Sequence, residues 1–147
     1  MEKLKTLFKA KADQLSTEIK DIIKEHGTKK IGEVQLAQIY QGMRGITGMV
    51  YETSLLDAQE GIRFRGFSIP ELQQKLPKAK GGDEPLPEGL FWLMMTGELP
   101  TDADVQALSK DWAERSKNIP AHVYKTIDAM PVDSHPMTQF NMGVMAM

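Results

Sequence analysis

The chain has 147 residues, of which 41% are hydrophobic and 26% are charged, and its formal net charge is -2. These values are ordinary for a globular protein, and the lack of a basic surplus excludes an electrostatic grip on a nucleic acid backbone. Because the sequence contains no cysteine, disulfides, thiolate metal sites and a thiol nucleophile are excluded as well.

The N-terminal segment has the pattern of an amphipathic helix. Apolar residues from Leu4 to Ile23 recur at steps of three and four, while lysines and acids fill the opposite face. Gly27 follows as a stop signal. We expect this helix to pack its apolar stripe on the body of the protein, with a membrane-surface or partner-binding helix as the alternative. A shorter helix is expected over residues 31–40.

A β-hairpin is predicted over residues 49–66. Residues 49–55 are rich in β-formers, residues 57–61 supply turn residues, and residues 62–66 alternate apolar and charged side chains. Because a lone hairpin is marginally stable in water, this one should lean on the helices.

The rest of the chain has helical patterns, so the predicted fold class is all-α with one small hairpin. Ser68, Pro70 and Glu71 form a helix start, and that helix should end near Leu76. Residues 87–96 predict a compact helix that is apolar on every side and therefore buried. Further helices are expected after Pro100, over residues 120–130 and from residue 136. The last pattern lacks a C-cap, which suggests that the fold continues elsewhere.

Few side chains have the spacing of a catalytic or metal-binding site. The three histidines lie far apart in sequence without partners at metal-ligand spacing, so we expect no metal site. His135 precedes Pro136, and we expect its ring to bond the backbone at a helix start rather than to act as an acid or substrate ligand. His122 is given no catalytic role. No apolar run reaches the length of a membrane span.

Three strings resemble the mitochondrial-type citrate synthases, in the order and spacing of that family. Residues 42–69 contain GMRGITGMVYETS and DAQEGIRFRGFSI, residues 84–101 contain EPLPEGLFWL and TGELPT, and residues 134–140 are SHPMTQF. The resemblance implies an almost entirely helical fold with a small hairpin, a large and a small domain, and a homodimer. Residues 1–147 would then be the N-terminal part of the large domain.

The resemblance also implies an activity. Family members condense acetyl-CoA with oxaloacetate and water to give citrate and CoA, in the tricarboxylic acid cycle of the mitochondrial matrix. They bind acetyl-CoA as a substrate and need no metal, redox group or covalently bound cofactor. No nucleic acid or membrane partner is expected.

One binding residue follows from the resemblance. Arg44 matches the family's arginine in the Met-Arg-Gly context, which contacts CoA phosphates, and the alternative is a surface arginine beside a flexible turn. The family's two catalytic histidines and its aspartate lie beyond this stretch, so no catalytic residue is assigned here. We expect a missing C-terminal portion or a complementary chain to supply them, and we expect this chain alone to be inactive.

Other interpretations stay open. A shortened chain of this kind could be a non-catalytic structural subunit of a larger mitochondrial assembly, and 2-methylcitrate synthases use the same fold. Arg63 and Arg65 are expected to share one face of the second strand and to pair with acids, namely Glu52, Asp57 or Glu60, and the alternative is that they add positive charge near the CoA site. Several methionines are expected to pack in the core or against a second subunit: Met94, Met95, Met142, Met145 and Met147.

Overall fold

The structure, a computed structural model, describes residues 1–50 and 53–147 and confirms a mainly helical chain with one small sheet. The helices are α1 Glu2–His26, α2 Leu36–Tyr40, α3 Ile69–Lys75, α4 Pro87–Thr96, α5 Asp102–Ser116, α6 Ala121–Asp128 and α7 Pro136–Met145. The strands are β1 Ser54–Asp57, β2 Gly61–Phe64 and β3 Phe67–Ser68. The chain divides into two compact units, Met1–Val105 and Gln106–Met147.

Helix α1 has the predicted bounds but not the predicted packing. It ends where the Gly27 N–H donates to the Ile23 carbonyl at 2.8 Å. Leu4 is its one buried residue, and α4 is its main packing partner. Ile22 and Ile23 are 59% and 62% exposed, so the expectation that the whole stripe packs on the body is wrong for the C-terminal half. Helical periodicity identifies an apolar face but does not say how far a neighbour extends along it.

Helix α2 is shorter than predicted, because it begins at Leu36 rather than at residue 31. A reciprocal cap fixes this start: the Gln38 side chain accepts from the Gln35 N–H at 2.9 Å, and the Gln35 side chain bonds the backbone of Gln38. Gly32 lies in the excluded stretch, and glycine disfavours a helix interior.

The predicted hairpin is confirmed between β1 and β2, with Leu56 opposite Ile62 in an antiparallel register. Strand β1 begins at Ser54, later than expected; residues 49–50 are not strand, and the predicted strand residues 51–52 lie outside the described residues. Asp57 organises the turn, since its carboxylate accepts the N–H groups of Glu60 and Gln59 at 2.9 and 2.8 Å. These two backbone hydrogen bonds hold the pKa of Asp57 below its ordinary value.

A third strand, β3, was not predicted. It joins β2 through the two-residue turn Arg65-Gly66, in which both residues have positive φ, 49° and 87°. Phe64 and Phe67 face each other across this turn, which is the arrangement of a type I′ hairpin. Sequence reasoning favours Asn-Gly or Asp-Gly at such turns, so Arg-Gly gave little signal.

Strand β3 leads directly into α3, which starts as predicted. The Ser68 hydroxyl accepts from the Glu71 N–H at 3.4 Å, and the Glu71 carboxylate accepts from the Ser68 N–H at 2.7 Å. This capping box satisfies two backbone donors that the first helical turn leaves open.

The core of the first unit joins α3 to α4. Leu72, Leu76 and Leu93 form its buried cluster, and Phe64, Phe67 and Leu90 pack against it. The loop over residues 78–87 therefore connects two parts of one core. Helix α4 buries one face, but Phe91 is 38% exposed, so the prediction of burial on every side is wrong.

The second unit contains most of α5, α6 and α7. The helix predicted after Pro100 is confirmed as α5, and its inner face has Leu108 buried and Trp112 half-buried. Helices α6 and α7 pack together around Gly143, where an added Cβ would lie 3.1 Å from Cδ1 of Ile127. Among the described helices, none combines the length and the apolar character needed to cross a bilayer.

The expected burial of the methionines holds only in the first unit. Met94 and Met95 are half-buried, whereas the three methionines of the C-terminal helix and its end are between 42% and 83% exposed, namely Met142, Met145 and Met147. Core packing within this chain is therefore wrong for those three, and their burial against a second subunit stays a prediction.

Candidate functional site

Arg44 lies in a loop whose backbone is left-handed at three positions. Gly42, Met43 and Gly45 have φ angles of 74°, 62° and 76°. Glycine adopts such angles freely, but methionine does so at a cost on the order of 1–2 kcal/mol. A non-glycine residue held in this region is a feature that clusters at functional sites.

Gln38 of α2 holds the loop in this shape. Its carbonyl accepts from the Met43 N–H at 2.7 Å, and its side-chain amide donates to the Arg44 carbonyl at 3.2 Å. Gln38 is half-buried, whereas Arg44 is exposed. Sequence reasoning missed this role of Gln38, because its only signal was a position three residues after another glutamine, and that pattern is weak as a helix start.

The Arg44 guanidinium differs from those of the other three arginines in the sequence. Within residues 1–50 and 53–147 it makes no hydrogen bond or ion pair, and only its backbone carbonyl is engaged. Arg63, Arg65 and Arg115 each donate to an oxygen of the protein. Arg44 therefore carries five N–H donors that no other described residue engages, in the planar fork that suits phosphate oxygens.

A cavity of about 330 Å³ adjoins the same loop, lined by residues 31–34 and 45–47. Among the described residues that line it, Glu33 is the one acid, and Lys30 donates to its carboxylate at 2.6 Å. Lys30 therefore partly neutralises the charge of Glu33, which reduces the electrostatic repulsion of an anion at this loop.

Arg63 and Arg65 do not share a strand face as predicted. Arg63 lies in β2 and donates to the Glu60 carboxylate at 2.8 Å, so the predicted pairing with that acid is confirmed. This hydrogen bond and the Glu60 charge raise the pKa of Arg63 further above its ordinary value. Arg65 lies in the turn, and its Nε and Nη2 donate to the Met94 carbonyl at 3.2 and 2.7 Å. The other predicted acid, Glu52, lies outside the described residues.

His135 has the structural role predicted for it. It is the N-cap of α7, and its Nδ1 accepts from the Met137 N–H at 3.1 Å. His122 Nε2 donates to the Ala146 carbonyl at 2.7 Å and so ties α6 to the end of α7. Across the described part of the chain, no group of three acidic, histidine or cysteine side chains could hold a metal ion.

The described residues therefore form a predominantly α-helical fold with one small antiparallel sheet, and Arg44 lies in an exposed loop of that fold. Residues 42–147 match the protein family described as "Citrate synthase, C-terminal domain". Since this match covers more than half of the sequence, the chain belongs to the citrate synthase family.

Individual relatives agree with the family match. The chain is 57% identical over 146 residues to "Citrate synthase, mitochondrial" of Saccharomyces cerevisiae. This alignment covers 99% of the chain and 29% of that relative. It is 53% identical over 144 residues to the protein of the same name from Daucus carota, covering 98% of the chain and 30% of the relative. It is also 59% identical over 129 residues to "2-methylcitrate synthase, mitochondrial" of Yarrowia lipolytica, covering 88% and 28%.

The chain thus spans about three-tenths of the length of the curated relatives that it matches. It corresponds to one part of a larger enzyme in each of them. The prediction that this part is the N-terminal portion of the large domain stays a prediction.

Proposed function

We propose that the whole protein is a citrate synthase, which condenses acetyl-CoA with oxaloacetate and water and releases citrate and CoA. The observation that carries this proposal is the 57% identity over 99% of the chain to a relative named as a mitochondrial citrate synthase. The names of the relatives also support a mitochondrial location, and we place the protein in the matrix.

Within this enzyme, we assign Arg44 to the binding of CoA phosphates. Support comes from its guanidinium, which makes no hydrogen bond or ion pair with another described residue, and from the flanking glycines, which allow a ligand to approach the main chain closely. CoA enters as part of a substrate, and no covalently bound cofactor is invoked. The proton-transferring residues would come from the rest of the enzyme, which we expect to act as a homodimer.

The assay for this function is CoA release from acetyl-CoA and oxaloacetate by the complete polypeptide. We expect turnover with acetyl-CoA to exceed turnover with propionyl-CoA, whereas the reverse preference would identify a 2-methylcitrate synthase, the function named for the relative from Yarrowia lipolytica. Residues 1–147 alone are expected to release no CoA above background. A complete polypeptide that turns over neither thioester would point instead to a non-catalytic structural subunit.

Arg44→Ala in the complete enzyme tests the binding role. Loss of a charge-assisted hydrogen bond to phosphate costs about 1.5–3 kcal/mol, so we expect the KM for acetyl-CoA to rise roughly tenfold or more. The KM for oxaloacetate should change less than about twofold, because a residue that contacts a CoA phosphate does not contact oxaloacetate. Steady-state kinetics with each substrate varied in turn would measure both.

A matched control is Arg115→Ala, which removes an exposed guanidinium that pairs only with Asp111 among the described contacts. It should leave both KM values unchanged. Equal increases in the two KM values for Arg44→Ala would contradict a CoA-specific role.

A further inference from the structure

The first turn of α1 carries a cluster of contacts that the proposed function does not use. The Lys3 ammonium donates to both carboxylate oxygens of Asp104, at 2.7 and 2.9 Å. It also lies 5.5 Å from the centre of the Trp92 ring, within the range of a cation–π contact. The neighbouring Leu4 is only 5% exposed. One helical turn thus combines an ion pair, an aromatic contact and a buried apolar side chain.

The remainder of α1 has few comparable contacts with the rest of the chain. Leu7 and Leu15 are half-buried, and from residue 16 to residue 26 every residue is exposed. The ion pairs beyond the first turn are local to the helix: Lys9 with Asp13 is an example, and such exposed pairs contribute little to stability. The attachment of α1 to α4 is therefore concentrated at one end.

Among the described residues, the segment that follows α1 adds no buried contact to the attachment of the helix. All residues from 27 to 35 are exposed, and no helix or strand forms there until α2 begins at Leu36. By contrast, the sheet, α3 and α4 share the buried cluster of Leu72, Leu76 and Leu93, to which α1 contributes no residue. Loss of the α1 contacts would leave that cluster intact.

We propose that α1 is a detachable arm, held on α4 by a latch made of Lys3, Leu4, Asp104 and Trp92. When the latch opens, α1 leaves as a unit while the sheet, α3 and α4 stay folded, and the exposed segment over residues 27–35 tethers it. Opening uncovers the Trp92 indole, which is 4% exposed when the arm is closed. Local opening of weakly attached elements below the cost of global unfolding is a general property of proteins.

Hydrogen exchange of the complete enzyme, followed by mass spectrometry, tests the latch in the variant Lys3→Met. Methionine keeps the length of the side chain but loses the charge. We expect peptides from the first half of α1 to exchange about fivefold to tenfold faster, since a charged hydrogen bond that is partly screened by water is broken. Peptides from the sheet, α3 and α4 should keep their protection. The second half of α1 is a poor reporter, because an unsupported helix end frays in any case.

Two further variants make the outcome decisive. Lys5→Met removes a lysine two residues away whose one ion pair among the described residues is with Glu2, and it should not change the exchange of α1. Lys3→Arg retains the charge and should restore most of the protection. Unaltered α1 exchange in Lys3→Met would overturn the proposal, because the ion pair would then not hold the arm. Equal acceleration in α1 and in the core peptides would also overturn it, because α1 would then open only with the whole unit.

Discussion

Residues of one type have different roles in this chain, and their local surroundings decide which. Arg63 donates to the Glu60 carboxylate, Arg65 donates to a carbonyl near the end of α4, and Arg44 is exposed to solvent. The Met94 carbonyl that Arg65 engages is one of the last four of α4, which lack a partner inside the helix. A guanidinium at that position also matches the negative end of the helix dipole.

Asp104 illustrates how competing effects on one carboxylate are resolved. Burial raises its pKa, but hydrogen bonds from Lys3 and from the side chain and backbone of Thr101 outweigh burial, so the pKa lies below its ordinary value. Thr101 and Asp104 also cap α5 reciprocally, since the Asp104 N–H donates to the Thr101 hydroxyl at 3.3 Å. The charged form of Asp104 is therefore the form that stabilises the fold.

The pH dependence of stability follows from this shift. Because the folded-state pKa is the lower one, the contribution is complete above the unfolded value of about 3.9 and is lost as the pH falls toward the folded value. Lys3 is 63% exposed, so water screens the pair, and we expect Asp104→Asn to cost only about 1 kcal/mol at pH 7. Urea unfolding between pH 3 and 7 should show this difference shrinking in acid; a difference that is constant with pH would contradict the assignment.

At the scale of elements, local signals predicted boundaries better than they predicted packing. The start of α3 and both ends of α4 were predictable because a serine–glutamate cap, a proline and a glycine act within one turn of the chain. The exposure of α1 and the existence of β3 depend on which neighbours are present and how a turn is closed. Those are tertiary properties, and a single sequence carries little information about them.

Gly97 supplies a test of these local signals. It ends α4 with φ 79°, and an added Cβ would meet no atom within 4 Å, so the cost of Gly97→Ala is conformational alone. We expect a loss of about 1–2 kcal/mol in the free energy of unfolding, measured with urea, and a smaller loss for Gly97→Asn.

The matched control is Gly82→Ala. The backbone of Gly82 is not left-handed, and the new Cβ would be 3.5 Å from the nearest atoms of Ala79, which is an ordinary contact distance. This variant should change stability by less than about 0.5 kcal/mol. Equal losses for the two alanine variants would show that backbone handedness at Gly97 is not what limits substitution.

For the molecule as a whole, the sequence predicted the fold class and the family, whereas the shape of the site required the structure. Three long strings in order are enough to recognise the citrate synthase family, and the helical and hairpin patterns agree with that family. Arg44 could be named from its Met-Arg-Gly context. The left-handed angle of Met43 and the support from Gln38 could not, because they arise from contacts between α2 and a loop whose path no periodicity specifies.

The Arg65-Gly66 turn connects the sheet to α4. The same residue that reverses the chain between β2 and β3 also reaches the final turn of α4, so sheet geometry and helix termination share one side chain. A change in that reversal would not remain a local disturbance of the sheet. It would withdraw the guanidinium from the Met94 carbonyl and so break a hydrogen-bonded link between the hairpin and α4, while Phe64 and Phe67 would still pack against the cluster of Leu72, Leu76 and Leu93.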